Sequence, residues 1–183
     1  MAGLEFYMFE QELWCKRSDG TNEIVDETKT DLVQYILENV RECYPEAYKA
    51  LEEYYKKSSA NIIYYQYLMA RRFVKCNFSK LDTTSLDVED DGRLNFEKVE
   101  CPMRGECPYE GVICGPKFNS KLSPAELRVM KQYYEGESKE EISRLLFISP
   151  GVVKLHIKNS YRKLGVHEKA EFIRYAQEHN LFK

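Results

Sequence analysis

The sequence predicts a mainly α protein built in two parts, and three observations carry that reading. Apolar residues recur at helical spacing through residues 30–73 and again in the last third of the chain. The stretch between them breaks into short alternating runs around Asp91-Gly92, the pattern of a β-hairpin. Directly after it, three cysteines crowd among prolines and glycines. The expected parts are residues 1–119, a helical region ending in the hairpin and a Cys-rich loop at 76–116, and residues 120–183, a helix-turn-helix domain. A chain of 183 residues has room for two small domains, each with its own core.

Taken in order, the first segment to about Lys16 is apolar and aromatic, with Phe6, Met8, Leu13 and Trp14, and fits strand or helix equally. From Thr30 the spacing of Leu32, Tyr35, Ile36 and Val40 is helical. Pro45 breaks that helix, and Ala47, Leu51 and Tyr54 resume on a second one. Ile62 to Phe73 predicts a third. The aromatic density at Tyr54, Tyr55, Tyr64, Tyr65 and Tyr67 reads as core and edge packing rather than a stacking platform for bases. The acidic run Glu89, Asp90 and Asp91 falls on the hairpin turn and reads as solvated.

The knuckle that follows holds Cys101, Cys107 and Cys114, with Cys76 ahead of the hairpin as a fourth. Four thiolates brought together by a hairpin and a loop suit tetrahedral zinc in a structural role. Zinc would also cross-link a region poor in apolar residues. The spacing departs from paired Cys-x-x-Cys knuckles, and reduced, partly buried thiols, a disulfide, or redox and iron–sulfur chemistry are the alternatives. Cys15 and Cys43 lie in regular segments and read as ordinary buried residues.

The last third is the most informative. Ser138 followed by Glu141 reads as a capping box opening a short helix with Ile142, Leu145 and Leu146 inward. Phe147, Ile148 and Ser149 form the turn. Ser149 caps a second helix whose first position is Pro150, where a missing N–H costs nothing. Val153, Ile157, Tyr161 and Leu164 then share one face, and Lys154, Leu155, Lys158 and Arg162 the opposite one. No acidic residue falls between Glu141 and Glu168, although the whole chain carries a net charge of −3. Residues 120–183 hold 12 Lys and Arg against 8 Asp and Glu, whereas residues 1–119 hold 15 against 22. The basic part suits a polyanion, and the acidic part repels DNA and faces something else. Two helices crossing at a short turn let the second lie in a major groove while the first braces across the backbone.

Residues Leu122 to about Asn180 resemble the LuxR-type (GerE-like) DNA-binding domain. The motifs carrying the resemblance are Leu122-Ser123-Pro124-Ala125-Glu126, Glu135-Gly136 through Glu141-Ile142, Ser149 through Val153-Lys154-Leu155-His156, Lys163-Leu164-Gly165-Val166 and Ala170-Glu171. They run in the family's order and spacing without a gap. Val152 replaces the family's usual Thr, and Arg128 stands where a second Glu is common. The resemblance implies a four-helix LuxR-like helix-turn-helix module, with Lys154, Leu155 and Lys158 entering the major groove and the last helix, around Ala170 to His179, forming a dimer face. The DNA-facing set is completed by Ser149 at the helix start and by Arg162 and Lys163 on backbone phosphates. His156 reads as packed or phosphate-contacting rather than catalytic. The Cys-rich knuckle ahead of such a module is also similar to small regulators of Bacteroides-type bacteria, which implies a bacterial origin.

These readings point to a sequence-specific transcription regulator acting as a homodimer on an inverted repeat of double-stranded DNA. Two other functions fit the same residues. One is a protein-interaction module acting with the transcription machinery, such as an RNA polymerase subunit, and the other is a metal- or redox-responsive regulator gated by the cysteines. Residues 1–119 lack the alternating pattern of a receiver, so no two-component input is expected, and without a phosphate loop, nucleophile elbow or zinc-protease motif an enzyme is not expected. No signal peptide or run approaching the roughly 20 apolar residues of a membrane span is read, which places the protein in the cytoplasm.

Overall fold

The aromatic N-terminal stretch folds as strand in the computed structural model of the protein, which describes residues 3–78, 80–81, 85–89 and 92–182. Strand β1 (Leu4–Phe9) pairs antiparallel with β2 (Glu12–Arg17), Phe9 opposite Glu12, and β3 (Asn22–Ile24) follows in the order β1-β2-β3. Glu10 and Gln11 form a two-residue turn, both at positive φ (48° and 67°), the handedness that suits the twist of a tight hairpin. Alternation then buries Leu4, Phe6, Leu13 and Cys15 on one face. Burial pushes the Cys15 thiol up to about 12, so it stays protonated.

The segment expected as a hairpin docks on the free edge of β1. Leu4 and Val88 exchange backbone hydrogen bonds, each 3.0 Å, and Asp87 accepts the Phe6 N–H at 2.6 Å. The chain reverses, with Val88 bridged to Leu94, but among the described residues the pairing is limited to that bridge and its flanking bonds rather than two full strands. The Asn95 amide turns aside to the Leu86 carbonyl and to Glu89, both at 2.8 Å. Asp90 and Asp91, two of the three acids read as a solvated turn, lie outside the described residues.

Three helices pack beside this sheet. Helix α1 (Thr30–Cys43) buries Leu32, Val33, Ile36, Leu37 and Val40, and α2 (Pro45–Tyr55) starts on Pro45 and buries Ala47 and Leu51. Helix α3 (Ile62–Asn77) is capped by Asn61, whose side chain accepts the Tyr64 N–H at 3.2 Å. It runs four residues past Phe73, which carries Cys76 and Asn77 on its last turn. Phe73, Phe78 and Phe96 meet in a ring cluster with centroids 5.6–6.5 Å apart.

The chain divides into two units, Met1–Lys117 and Phe118–Lys183. The second contains α4 (Pro124–Tyr134), α5 (Lys139–Leu146), α6 (Pro150–Leu164) and α7 (Lys169–Glu178) around Val129, Met130, Ile142, Val153, Ile157 and Phe172. The fold is thus mainly α, with a small antiparallel sheet and a four-helix C-terminal unit. Leu145 corrects the sequence reading. Ile142 and Leu146, four apart, share the inward face, so Leu145 is rotated outward and is 52% exposed. Among the described residues no helix is long and apolar enough to cross a membrane.

Candidate nucleic-acid interface

Local hydrogen bonding sets the geometry of α5 and α6. Ser138 caps α5, its Oγ accepting the Glu141 N–H at 3.1 Å, while its hydroxyl donates to the Glu141 carboxylate at 3.0 Å. The full reciprocal capping box lies one helix earlier, where Glu126 also reaches back to the Ser123 N–H at 2.7 Å. Helix α5 stops at Phe147, which takes the left-handed conformation at φ 54° and is 95% exposed. The Ser143 hydroxyl donates to the Ile148 carbonyl at 2.6 Å and tightens the turn. Ser149 then caps α6 by accepting the Val152 N–H at 3.3 Å. Gly165 ends α6 at φ 70°, where its N–H reaches the Tyr161 carbonyl and glycine meets no Cβ penalty.

The inward face of α6 is Val153, Ile157, Ser160 and Leu164, with Tyr161 partly buried at its border. Lys154, Leu155, Lys158 and Arg162 are exposed on the other side, joined at the helix start by Val152. Lys154 and Lys158 are four apart and stand one turn above the other, with Leu155 beside them. His156 is half-buried at the edge of this face.

A shallow groove runs along α6 and is lined by Lys139, Lys154, Lys158, Arg162 and His167 among others, with no carboxylate in its wall. Lys139 and His167 were not among the residues expected from sequence. Each sits at a helix boundary whose approach to α6 is set by tertiary packing. The only sequence hint is that Lys139 immediately follows the cap Ser138, so it stands on the first turn of the bracing helix.

Two expected residues have structural duties. Ser149 is committed to the cap. The Lys163 ammonium lies 2.6 Å from Glu126, tying α6 to α4 on a side chain that is only 7% exposed at the glutamate end. The Lys163 bond, with help from Ser123 and against the cost of burial, holds the Glu126 carboxyl at about 2 instead of 4.5. A depressed folded-state value contributes stability that is present above the ordinary carboxylate range and is lost as the pH falls through about 2. Glu126→Gln should therefore lower the unfolding free energy at neutral pH by roughly 1–3 kcal/mol and flatten the acid limb between about pH 5 and pH 2. Urea titrations across that window check it, and an unchanged acid limb would show that the pair contributes nothing.

The four cysteines expected to bind metal are placed differently. Cys76 ends α3, Cys101 is exposed, and Cys107 and Cys114 are half-buried; all are free thiols. Among the described residues no group of three or more His, Cys, Asp or Glu side chains is gathered in a way that could hold a metal ion.

A capped helix, a left-handed turn and a second capped helix with a basic outer face define a helix-turn-helix DNA-binding module. Residues 120–176 match the bacterial regulatory proteins of the luxR family, GerE, and the C-terminal unit is a domain of that family. Over 64 residues the chain is 45% identical to the transcriptional activator protein CarR of Pectobacterium carotovorum subsp. carotovorum. That alignment covers 35% of this chain and 26% of CarR, so the likeness is confined to one module of a longer relative. No solved structure matches the chain.

Proposed function

We propose that this protein is a sequence-specific transcription regulator that reads double-stranded DNA with α6 and acts as a homodimer on an inverted repeat. The observation that carries this is the outer face of α6, where Lys154, Leu155 and Lys158 stand exposed on a helix-turn-helix scaffold, beside a groove walled by cations. In a major groove, Lys154 and Lys158 would reach base-edge acceptors and phosphates, and Leu155 a thymine methyl. Arg162 would hold a backbone phosphate, fixing register without carrying sequence information. Lys139 and His167 extend that phosphate track. Lys163 contributes through its tie to Glu126, which positions α6, and adds a phosphate contact where its exposed side allows.

The dimer is assigned to α7, which buries Phe172 and Ala176 and leaves Ala170, Arg174 and Gln177 on its outer side. Two-fold symmetry then requires half-sites about one helical turn apart. The luxR-type module supports a regulator rather than an enzyme, and we place it in the bacterial cytoplasm, where its DNA is. The resemblance to CarR, named as a transcriptional activator, supports transcription control as the process.

The test is enrichment of sheared genomic DNA from the source organism at physiological salt, by the full chain and by a Lys154→Ala, Lys158→Ala variant. A shared inverted repeat enriched by the unmodified chain alone is the expected result. Enrichment of nothing by either protein would overturn the reading in favour of a module that docks on another protein, such as a polymerase subunit.

A further inference from the structure

The outer surface of α6 carries two rows of side chains, and only one of them is basic. Lys154, Lys158 and Arg162 follow one another at four-residue spacing and line the groove described above. Val152, Leu155 and Asn159 recur at spacings of three and four on the neighbouring strip, and none of them lies in the groove wall. At about 100° per residue this second row stands outward, between the lysines and Lys163, whose ammonium is tied back to Glu126.

Packing does not account for the second row. Val152 and Leu155 are 38% and 54% exposed, although the inward face of α6 is already filled by Val153, Ile157 and Leu164. Valine and asparagine are both poorer helix formers than alanine, and Asn159 lies inside the helix, away from the caps where asparagine is favoured. Gly151, one turn before Leu155, is exposed and has no Cβ, so the backbone can come close to a surface that Leu155 touches.

The amide of Asn159 is oriented. Its Oδ1 accepts from the Arg162 Nη2 at 3.4 Å, which turns the carbonyl side toward the guanidinium and leaves the oxygen a second lone pair. Among the described residues its Nδ2 donates to no protein acceptor. A side chain held this way offers an acceptor and a donor side by side, the complement of the N6–H and N7 of adenine in the major groove. The two apolar side chains beside it complement thymine methyls, which stand on the same edge of the duplex. Seven steps of about 1.5 Å put Val152 and Asn159 about 10 Å apart along α6. That length matches about three base pairs at roughly 3.4 Å each.

We propose that the row Val152, Leu155 and Asn159 reads A·T pairs in each half-site, the Asn159 amide on adenine N6–H and N7 and the two apolar side chains on thymine methyls. The inference rests on α6 being the reading helix and adds which bases it reads. The basic row beside it supplies charge, and the uncharged row supplies discrimination between bases at no cost in repulsion.

The experiment uses the full chain and the duplex it enriches from genomic DNA. Each adenine of a half-site is replaced in turn by 7-deazaadenine, which lacks N7, and each thymine by uracil, which lacks the methyl; pairing and phosphate charge are unchanged. One deaza position should weaken binding about threefold or more, as part of a two-bond adenine contact. At least one uracil position should weaken it about threefold to fourfold, the worth of a buried methyl. Asn159→Ala should bind the intact duplex less tightly, lose the deaza effect and keep the uracil effect. Val152→Ala, Leu155→Ala should do the reverse. Neither variant should change the salt slope, since no charge is removed, nor lower the thermal midpoint of the C-terminal unit, since alanine favours the helix. Sequence-specific binding that is indifferent to both analogues would overturn this inference alone. The same holds for a half-site without A·T pairs, or for a deaza effect that persists in Asn159→Ala. Binding with no sequence preference at all would overturn the reading helix itself, and this inference with it.

Discussion

Replacing Lys154 and Lys158 together with alanine should lower affinity for the enriched DNA by about 2–6 kcal/mol, roughly thirtyfold to twenty-thousandfold. Each lysine loses a contact to a base edge or phosphate, and such contacts are worth about 1–3 kcal/mol apiece where they discriminate bases. The salt dependence should fall as well, by up to about two in the slope of log affinity against log salt, since two cations no longer displace counterions. Both side chains are exposed and neither takes part in the caps or the core of α6, so the thermal midpoint should stay within the error of an ordinary surface change. Loss of binding with unchanged stability is the signature of a reading face. A loss matched by unfolding would assign the lysines to structure instead.

Phe172→Ala should cost about 3–5 kcal/mol in urea unfolding of the C-terminal unit. Phe172 is fully buried on α7, and its ring meets those of Tyr133, Tyr161 and Phe182 at centroid distances of 6.1–6.3 Å. It touches α4 through Tyr133 and α6 through Tyr161, so removing it leaves a cavity that several elements share. At roughly 0.05–0.15 kcal/mol per residue, a unit of this size has about 3–10 kcal/mol in total stability, so the loss takes a third of it or more. DNA binding should therefore fall together with folding, in contrast to the lysine variant. A cost under about 1 kcal/mol would mean that the four helices do not depend on a common core.

Much of the helix-turn-helix geometry could be read from sequence because its determinants are local. Ser149 before Pro150 announces the start of α6, Gly165 its end, and the four-residue spacing of Lys154 and Lys158 follows from helical period alone. The parts that escaped depend on tertiary contacts. The β1–β2 turn is Glu10-Gln11, which lacks the Asn-Gly or Asp-Gly chemistry that usually marks a two-residue hairpin. Leu145 is as hydrophobic as its neighbours, and only the angular difference from Ile142 and Leu146 turns it outward. Lys139 and His167 belong to the groove because separate helix ends converge on α6. The cysteines showed a count and a spacing, whereas the Asn77 clamp that holds the loop around Cys114 to the end of α3 is visible only in three dimensions.

If α6 reads sequence, affinity depends on base order and not on charge alone, which a ratio of specific to non-specific binding measures. The full chain is titrated at physiological salt against its enriched fragment and against a scrambled duplex of the same length and composition. The enriched fragment should bind about a thousandfold tighter or better, as specific sites do relative to non-specific DNA. Equal affinity for the two duplexes would show that α6 does not read sequence and reduce its basic face to a general polyanion surface.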